Sequence, residues 1–540
     1  NHDFIRNPVF MNKLEGSEEF SEESFTENFD VVFVDNSGKL NLLSGMTKTA
    51  LEQIQHEARI AMEYFNENEA DRFEALFLQK VNDTKLRYDN VAKITQIPTS
   101  YCNYTDSVKL DYHDPFVHFA RTILVQLKQG LTNRVSLITI NYAQLPTWSI
   151  SSVPPSYSSS NLKLYIGLVF NPEQSNRLID YGPSPEDETA ASQFRKLWGK
   201  KAEVRRFKDG SILECVVWDV KGIEERCLIV SRIVKYLLHL HYGINESKGI
   251  QYFTGQLNDI VIPSTNIPKS IYNKNGIANG FRDVMQAFDK LVKQFMALED
   301  VPLRFSGIRA ASSTLRYASI FIPQPLALTA KKISHYVDPI EVIIQFEHSV
   351  RWPDDIVTIQ KMKIAFYIRL ASQLELQFPG TCATVVTDNS DTIISEAYMD
   401  ILADSGFAFR CRIYNEREMT LLDRGIKDKI SSQLKKDTYT KALEREKRMF
   451  VEIPMHTLQI QTLCNKWPSL SLTIRLTKRW FSTHLLSDHV DEEWIECLSS
   501  QVYLEPLPWN RPSSGFVGFL RVLKLIASWD WNNEAMIVNL

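Results

Sequence analysis

Three observations predict an α+β fold of several domains. The stretch Asp338-Pro-Ile-Glu-Val-Ile-Ile-Gln-Phe-Glu347 alternates as a buried strand, and Pro353, Asp354 and Asp355 then open a helix through Ile359, Met362, Phe366, Leu370 and Leu374. A strand that feeds a long amphipathic helix is an α/β nucleus. Strand and helix patterns mix on the N-terminal side of this nucleus, whereas residues 431–540 carry helical patterns alone. At 540 residues the chain exceeds one core, and roughly 100 to 200 residues per domain gives about three to five domains.

Taken in order, residues 13–28 hold six glutamates among serines and read as a solvated linker. Phe29-Asp-Val-Val-Phe-Val34 and Lys39-Leu-Asn-Leu-Leu43 read as a hairpin about Asp35-Asn-Ser-Gly38. Thr47 or Thr49 caps a helix through Leu51, Ile54, Ala58, Met62 and Phe65. A second unit, 111–270, offers a helix at Phe116 to Leu127, strands at Val135 to Ile140 and Lys163 to Phe170, and a helix ending at Trp198 with Gly199 as its stop. Ala202 to Phe207 and Ser211 to Trp218 then form a hairpin about Lys208-Asp-Gly210, and Ile229 to His241 a helix. Strand, helix and hairpin follow one another as in small α/β domains of the RNA-recognition type. A third unit, 271–430, opens on the helix Phe281 to Leu298 and holds the nucleus. The strand Cys382 to Thr387, a helix Glu396 to Ala403 and the strand Gly406 to Tyr414 follow it. In 431–540, helices are expected at Leu470 to Leu486, Glu493 to Leu504 and Phe516 to Trp529.

Composition excludes several classes. A net charge of −4 and a pI near 6.3 argue against nucleic-acid binding by bulk charge, so any polyanion contact must be local. Seven widely spaced cysteines without a C-x-x-C give neither a disulfide framework nor a zinc site, which favours a reducing compartment. His239 and His241, two apart, fall on different helix faces and cannot share a metal. No run of 18 apolar residues occurs, so no membrane partner is expected.

The order Leu303-Arg-Phe-Ser-Gly-Ile308, strand 339–347, long helix, strand 382–387 and strand 406–414 is similar to the nucleotidyltransferase fold of poly(A) polymerases and class I CCA-adding enzymes. Those enzymes hold a triphosphate on a Gly-Ser turn and clamp two Mg²⁺ with an Asp-x-Asp strand and a third carboxylate nearby. Here Ser306-Gly307 reverses the turn, Glu341 and Gln345-Phe-Glu347 put an amide into the acid spacing, and Arg410 and Arg412 stand where the third carboxylate is wanted. Arg410 or Arg412 is expected to pair with Glu341 or Glu347 and fill the cleft with ion pairs, so no cofactor, metal or catalytic residue is expected. The C-terminal helices are similar to the helical domain of poly(A) polymerases and oligoadenylate synthetases, and residues 1–110 read as the end of an earlier copy.

Arg205-Arg-Phe-Lys-Asp-Gly-Ser-Ile212 with Trp218, Phe346-Glu-His-Ser-Val-Arg-Trp-Pro-Asp-Asp355, and Gly518-Phe-Leu-Arg521 with Trp529-Asp-Trp531 and Ile537-Val-Asn539 together resemble the nucleolar RNA-associated protein family, Nrap. The resemblance implies tandem CCA-adding-like modules, with residue 1 inside the first and residue 540 short of the natural end. It implies a nucleolar, non-catalytic scaffold of the small-subunit processome in pre-18S rRNA processing and 40S biogenesis. Implied partners are pre-rRNA, the U3 snoRNP-containing processome and other assembly proteins, among them an RNA-recognition-motif partner and casein kinase II. RNA contact is expected first at Arg475, Lys478 and Arg479, which helical spacing groups, and second at Arg205, Arg206 and Lys208. Both clusters can also be read as solvated charge. An active RNA nucleotidyltransferase and a protein-only adaptor remain the alternative functions.

Overall fold

The computed structural model describes residues 9–10, 31–33, 43, 46–67, 88–95, 115–142, 164–220, 222–245, 249–252, 280–323, 325, 338–387, 394, 397–428, 432–487, 489–507, 509–531 and 533–540. They fall into two compact units. The first comprises Asn1–Trp218, Cys227–Thr254 and Glu505–Val517, and the second Asp219–Arg226, Gly255–Leu504 and Gly518–Leu540.

In the first unit β1 (Val9–Phe10) pairs in parallel with β2 (Val32–Phe33). The acidic stretch 13–28 and residues 39–42 of the expected return strand lie outside the described residues. Helix α1 (Lys48–Glu67) starts as expected, with Thr47 Oγ1 accepting from the Ala50 amide at 3.3 Å. Next come β3 (Asn90–Ile94), α2 (Pro115–Leu131), β4 (Val135–Tyr142), β5 (Leu164–Phe170), β6 (Ile179–Tyr181), α3 (Glu188–Trp198), β7 (Glu203–Arg206), β8 (Ile212–Val217), α4 (Ile229–Tyr242) and β9 (Ile250–Tyr252). An antiparallel sheet runs β4-β5-β3-β9, and a smaller one β6-β8-β7. Strand β3 thus joins this sheet from before residue 111. Strand β5 carries no charge because it is central and six of its seven residues are buried.

Arg134 and Asp180 pin the two sheets of this unit. The Arg134 guanidinium, fully buried, donates to both Asp180 oxygens at 3.0 and 2.9 Å, and Trp218 Nε1 donates to the same carboxylate at 2.9 Å. Gly199, at φ 53°, ends α3. The two histidines of α4 do part ways: His239 Nδ1 lies 3.2 Å from the Ile244 carbonyl and His241 Nε2 2.8 Å from that of Leu197.

The second unit is built on α5 (Arg282–Met296), β10 (Phe305–Ala310), β11 (Ile340–Phe346), α6 (Ile356–Gln377), β12 (Cys382–Thr387), β13 (Ala397–Leu402) and β14 (Ala408–Tyr414). Its sheet runs β10-β11-β14-β13-β12, with β11 and β14 parallel and the other pairs antiparallel. Ile340, Val342, Ile344 and Phe346 face the core with Phe409, Cys411, Ile413, Met399 and Ile401. Asp355 caps α6 through the Thr358 amide at 2.9 Å. The segment expected as a helix at Glu396 to Ala403 is strand β13 instead. Met399 and Ile401 are buried while Tyr398 and Asp400 stay part-exposed, a period of two that tertiary pairing enforces over helical propensity.

Helices α7 (Glu416–Lys427), α8 (Gln433–Lys447), α9 (Ile453–Lys466), α10 (Pro468–Thr483), α11 (Glu492–Leu504) and α12 (Gly515–Ser528) complete the described elements, α8 running into α9 through a π-helical turn at Arg448–Glu452. Leu470, Ile474 and Phe481 point inward. Leu485 lies beyond the end of α10 at φ 58° and is 84% exposed. Gly518 lets α12 close on its neighbours, since a Cβ there would strike Thr473 Oγ1 and the Tyr503 hydroxyl.

Candidate functional site

The polar face of the five-stranded sheet is a row of alternating charge. Register sets Glu341 of β11 beside Arg410 of β14, and Arg410 beside Asp400 of β13. Arg410 takes Asp400 with both arms of its fork, Nε to Oδ1 at 2.8 Å and a terminal nitrogen to Oδ2 at 2.9 Å, and lies 4.0 Å over the Tyr398 ring. Hydrogen bonds to Asp400 raise the Arg410 pKa further, so its guanidinium stays charged. Arg412 donates from Nε to Glu341 Oε2 at 3.1 Å and lies 4.9 Å from the same tyrosine ring.

Of the pairings expected for these arginines, Arg412 with Glu341 forms; Arg410 goes to Asp400, which lay hidden in the stretch read as a helix. Glu347 is exposed past the end of β11. Ser306 and Gly307 form no phosphate-holding turn: they sit within strand β10 at a register shift, with Ser306 Oγ donating to the Gln345 carbonyl at 3.3 Å. A two-Mg²⁺ centre needs carboxylate oxygens that face the ions. Here the acids of the row are held by guanidiniums, which would place positive charge where the metals belong, and the donor set does not fit that centre.

Behind Arg412 the site closes further. Lys363 of α6 and Glu418 of α7 form a buried ion pair, Lys363 lies 5.5 Å from the Phe450 ring, and Glu446 of α8 is buried beside them. Burial pushes the Glu446 carboxyl up to about 7, with Glu418 adding to the rise and Lys363, Arg445 and Arg412 opposing it.

The basic group of α10 is placed differently from the expectation. Arg475 is buried, with Nε donating to the Ser319 carbonyl at 2.9 Å, a terminal nitrogen to that of Ile320 at 3.1 Å, and its guanidinium 5.3 Å from the Phe281 ring. Lys478 is buried too and donates to Glu496 at 2.6 Å and Glu492 at 2.7 Å. Glu496, fully buried, also takes Arg316 Nε at 2.7 Å and His456 Nε2 at 2.7 Å. These cations lock α9, α10 and α11 to the turn at Ser313–Arg316 and to the segment after it. They cannot follow a phosphate path, because their heads are already desolvated and engaged. Arg479 alone of the three is part-exposed, its guanidinium 5.9 Å from the Phe321 ring. Arg205, Arg206 and Lys208 are exposed on and beyond edge strand β7, where Arg205 Nε donates to Glu203 at 2.9 Å.

A nucleotidyltransferase-like α/β domain joined to a helical domain of the poly(A) polymerase and oligoadenylate synthetase type is the class this architecture defines. Four family models match the chain in succession: Nrap protein PAP/OAS-like domain over residues 1–80, Nrap protein domain 3 over 84–243, Nrap protein nucleotidyltransferase domain 4 over 256–465 and Nrap protein PAP/OAS1-like domain 5 over 467–540. The chain belongs to the Nrap family. It is 33% identical over 511 residues to U3 small nucleolar RNA-associated protein 22 of Schizosaccharomyces pombe, covering 94% of this chain and 44% of that protein. It is 31% identical over 541 residues to Nucleolar protein 6 of Homo sapiens, covering 96% and 45%, and 27% identical over 531 residues to U3 small nucleolar RNA-associated protein 22 of Saccharomyces cerevisiae, covering 94% and 41%. The chain thus spans less than half the length of these relatives.

Proposed function

We propose that this chain is part of a non-catalytic scaffold of the nucleolar small-subunit processome, acting in pre-18S rRNA processing and 40S ribosome biogenesis. The observation that carries the non-catalytic reading is the double arginine clamp, Arg412 on Glu341 and Arg410 on Asp400, across the strands where the resembled enzymes hold metal. The names of the relatives, one nucleolar and the other associated with U3 small nucleolar RNA, support the nucleolar setting and a partnership with the U3 particle. Pre-rRNA, an RNA-recognition-motif protein and casein kinase II belong to the proposed partners. RNA contact is assigned to Arg205, Arg206, Lys208 and Arg479, whose heads reach solvent, in preference to Arg475 and Lys478.

Ultraviolet crosslinking of the full-length protein inside assembled particles, with peptide mapping, tests this reading. Crosslinked peptides covering 203–210 or the segment around Arg479 are expected. If RNA adducts are absent while the protein stays in the particle, the protein-only adaptor replaces the proposal.

A further inference from the structure

A pocket of about 360 Å³ opens where the parallel strands β11 and β14 end and α7 begins. In open α/β sheets this is where ligands collect, because loops diverge at the carboxyl ends of parallel strands. The pocket is distinct from the ion-paired row: Gln345, at its edge, lies four residues beyond Glu341, roughly 13 Å along a strand. Trp352, Tyr414, Gln345 and Asn415 line it, and Arg417 and Arg424 flank it two turns apart on one face of α7.

Asn415 is the telling residue. Its Oδ1 caps α7 by accepting from the Arg417 amide at 2.9 Å, yet its Nδ2, on a side chain only 8% exposed, finds no hydrogen-bond partner among the described residues. A buried amide donor is rarely left without an acceptor, and an acceptor from outside the chain satisfies it. Two amides beside aromatic rings suit a planar group with donors and acceptors along one edge, which is what a nucleobase presents. The carboxylates of Glu347 and Glu416, also in the lining, would repel an acidic peptide but accept from a base amino group.

We infer that this pocket takes one unstacked nucleotide of single-stranded RNA. The base lies against Trp352 and Tyr414, its edge is read by Gln345 and Asn415, and its phosphate turns toward the exposed Arg424, since Arg417 is already held by Asp354. This inference rests on the RNA association proposed above and gives it a site that the basic clusters do not supply.

The test is fluorescence anisotropy of the 540-residue chain with labelled 12-nucleotide homopolymers of A, C and U. Asn415→Asp keeps the cap oxygen and replaces the donor by an acceptor, while Asn415→Ser caps without adding charge. Each is expected to weaken the tightest-bound homopolymer about tenfold and to level the preference among the three. Arg424→Ala should weaken all three alike and lower the salt slope by about one. Melting temperatures identify any variant that fails to fold, and the remaining variants then decide. Wild-type binding that both Asn415 variants leave unchanged overturns the pocket, with RNA association left to other surfaces. No binding of any homopolymer by the wild type overturns the RNA reading itself, and the pocket with it.

Discussion

Glu496→Ala is expected to lower the stability of the second unit by about 3 to 5 kcal/mol, the cost of leaving buried charges without their partner. Its carboxylate is fully buried and serves three donors on three elements: Arg316 in the turn after β10, Lys478 on α10 and His456 on α9. Among the described residues, removing it leaves Arg316, 2% exposed, with only Glu493 at 3.4 Å as an ion-pair partner and Lys478, 3% exposed, with only Glu492 at 2.7 Å. Glu492→Ala is the control, since its side chain is 57% exposed and its loss leaves Lys478 paired to Glu496; it should cost under about 1 kcal/mol. Urea unfolding followed by tryptophan fluorescence measures both. Equal, small losses in the two variants would show that the network is ornamental. The pH dependence has a definite sign. Burial alone would raise the Glu496 carboxyl, but Lys478, Arg316 and the His456 hydrogen bond outweigh it and hold it well below the usual range. Its stabilisation is therefore present above the ordinary carboxylate pKa and is lost as pH falls below it.

Glu446→Gln is expected to behave in the opposite sense. With the folded carboxyl raised from 4.5 to about 7, Glu446 is protonated below that value, and its stability contribution is complete below 4.5 and lost as pH rises through 7. The amide keeps the neutral shape at every pH. The variant should match the wild type near pH 4.5 and exceed it by up to about 3 kcal/mol above pH 8. A difference between the two proteins that stays constant from pH 5 to 8 would contradict a buried, titrating Glu446.

The fold was legible in the sequence wherever periodicity and caps agreed. The strand at Ile340–Phe346 and the helix capped by Asp355 follow from local pattern because one face of each is buried, and the hairpin at Glu203–Val217 follows from its Lys208-Asp-Gly210 turn, with Gly210 at φ 88°. Asp400 was missed because Ala397-Tyr-Met-Asp-Ile-Leu402 is short and fits either period; only its pairing with β14 and β12 decides it. Recognising the alternation of Met399 and Ile401 with Tyr398 and Asp400 would have found it. Arg475 and Lys478 misled for a related reason. Spacing along a helix places cations together, but whether that face meets water or the carbonyls of Ser319 and Ile320 is a tertiary fact. The orphan Asn415 amide leaves no sequence signal beyond that of an ordinary helix cap.

The central claim, that guanidiniums have replaced metal at the nucleotidyltransferase-like centre, is tested most directly by incubating the purified chain with 3′-hydroxyl RNA, labelled nucleoside triphosphates and Mg²⁺ or Mn²⁺. No extension of the RNA is expected under either ion, by the wild type or by Arg410→Ala and Arg412→Ala. Extension by the wild type that Glu341→Ala abolishes would contradict it.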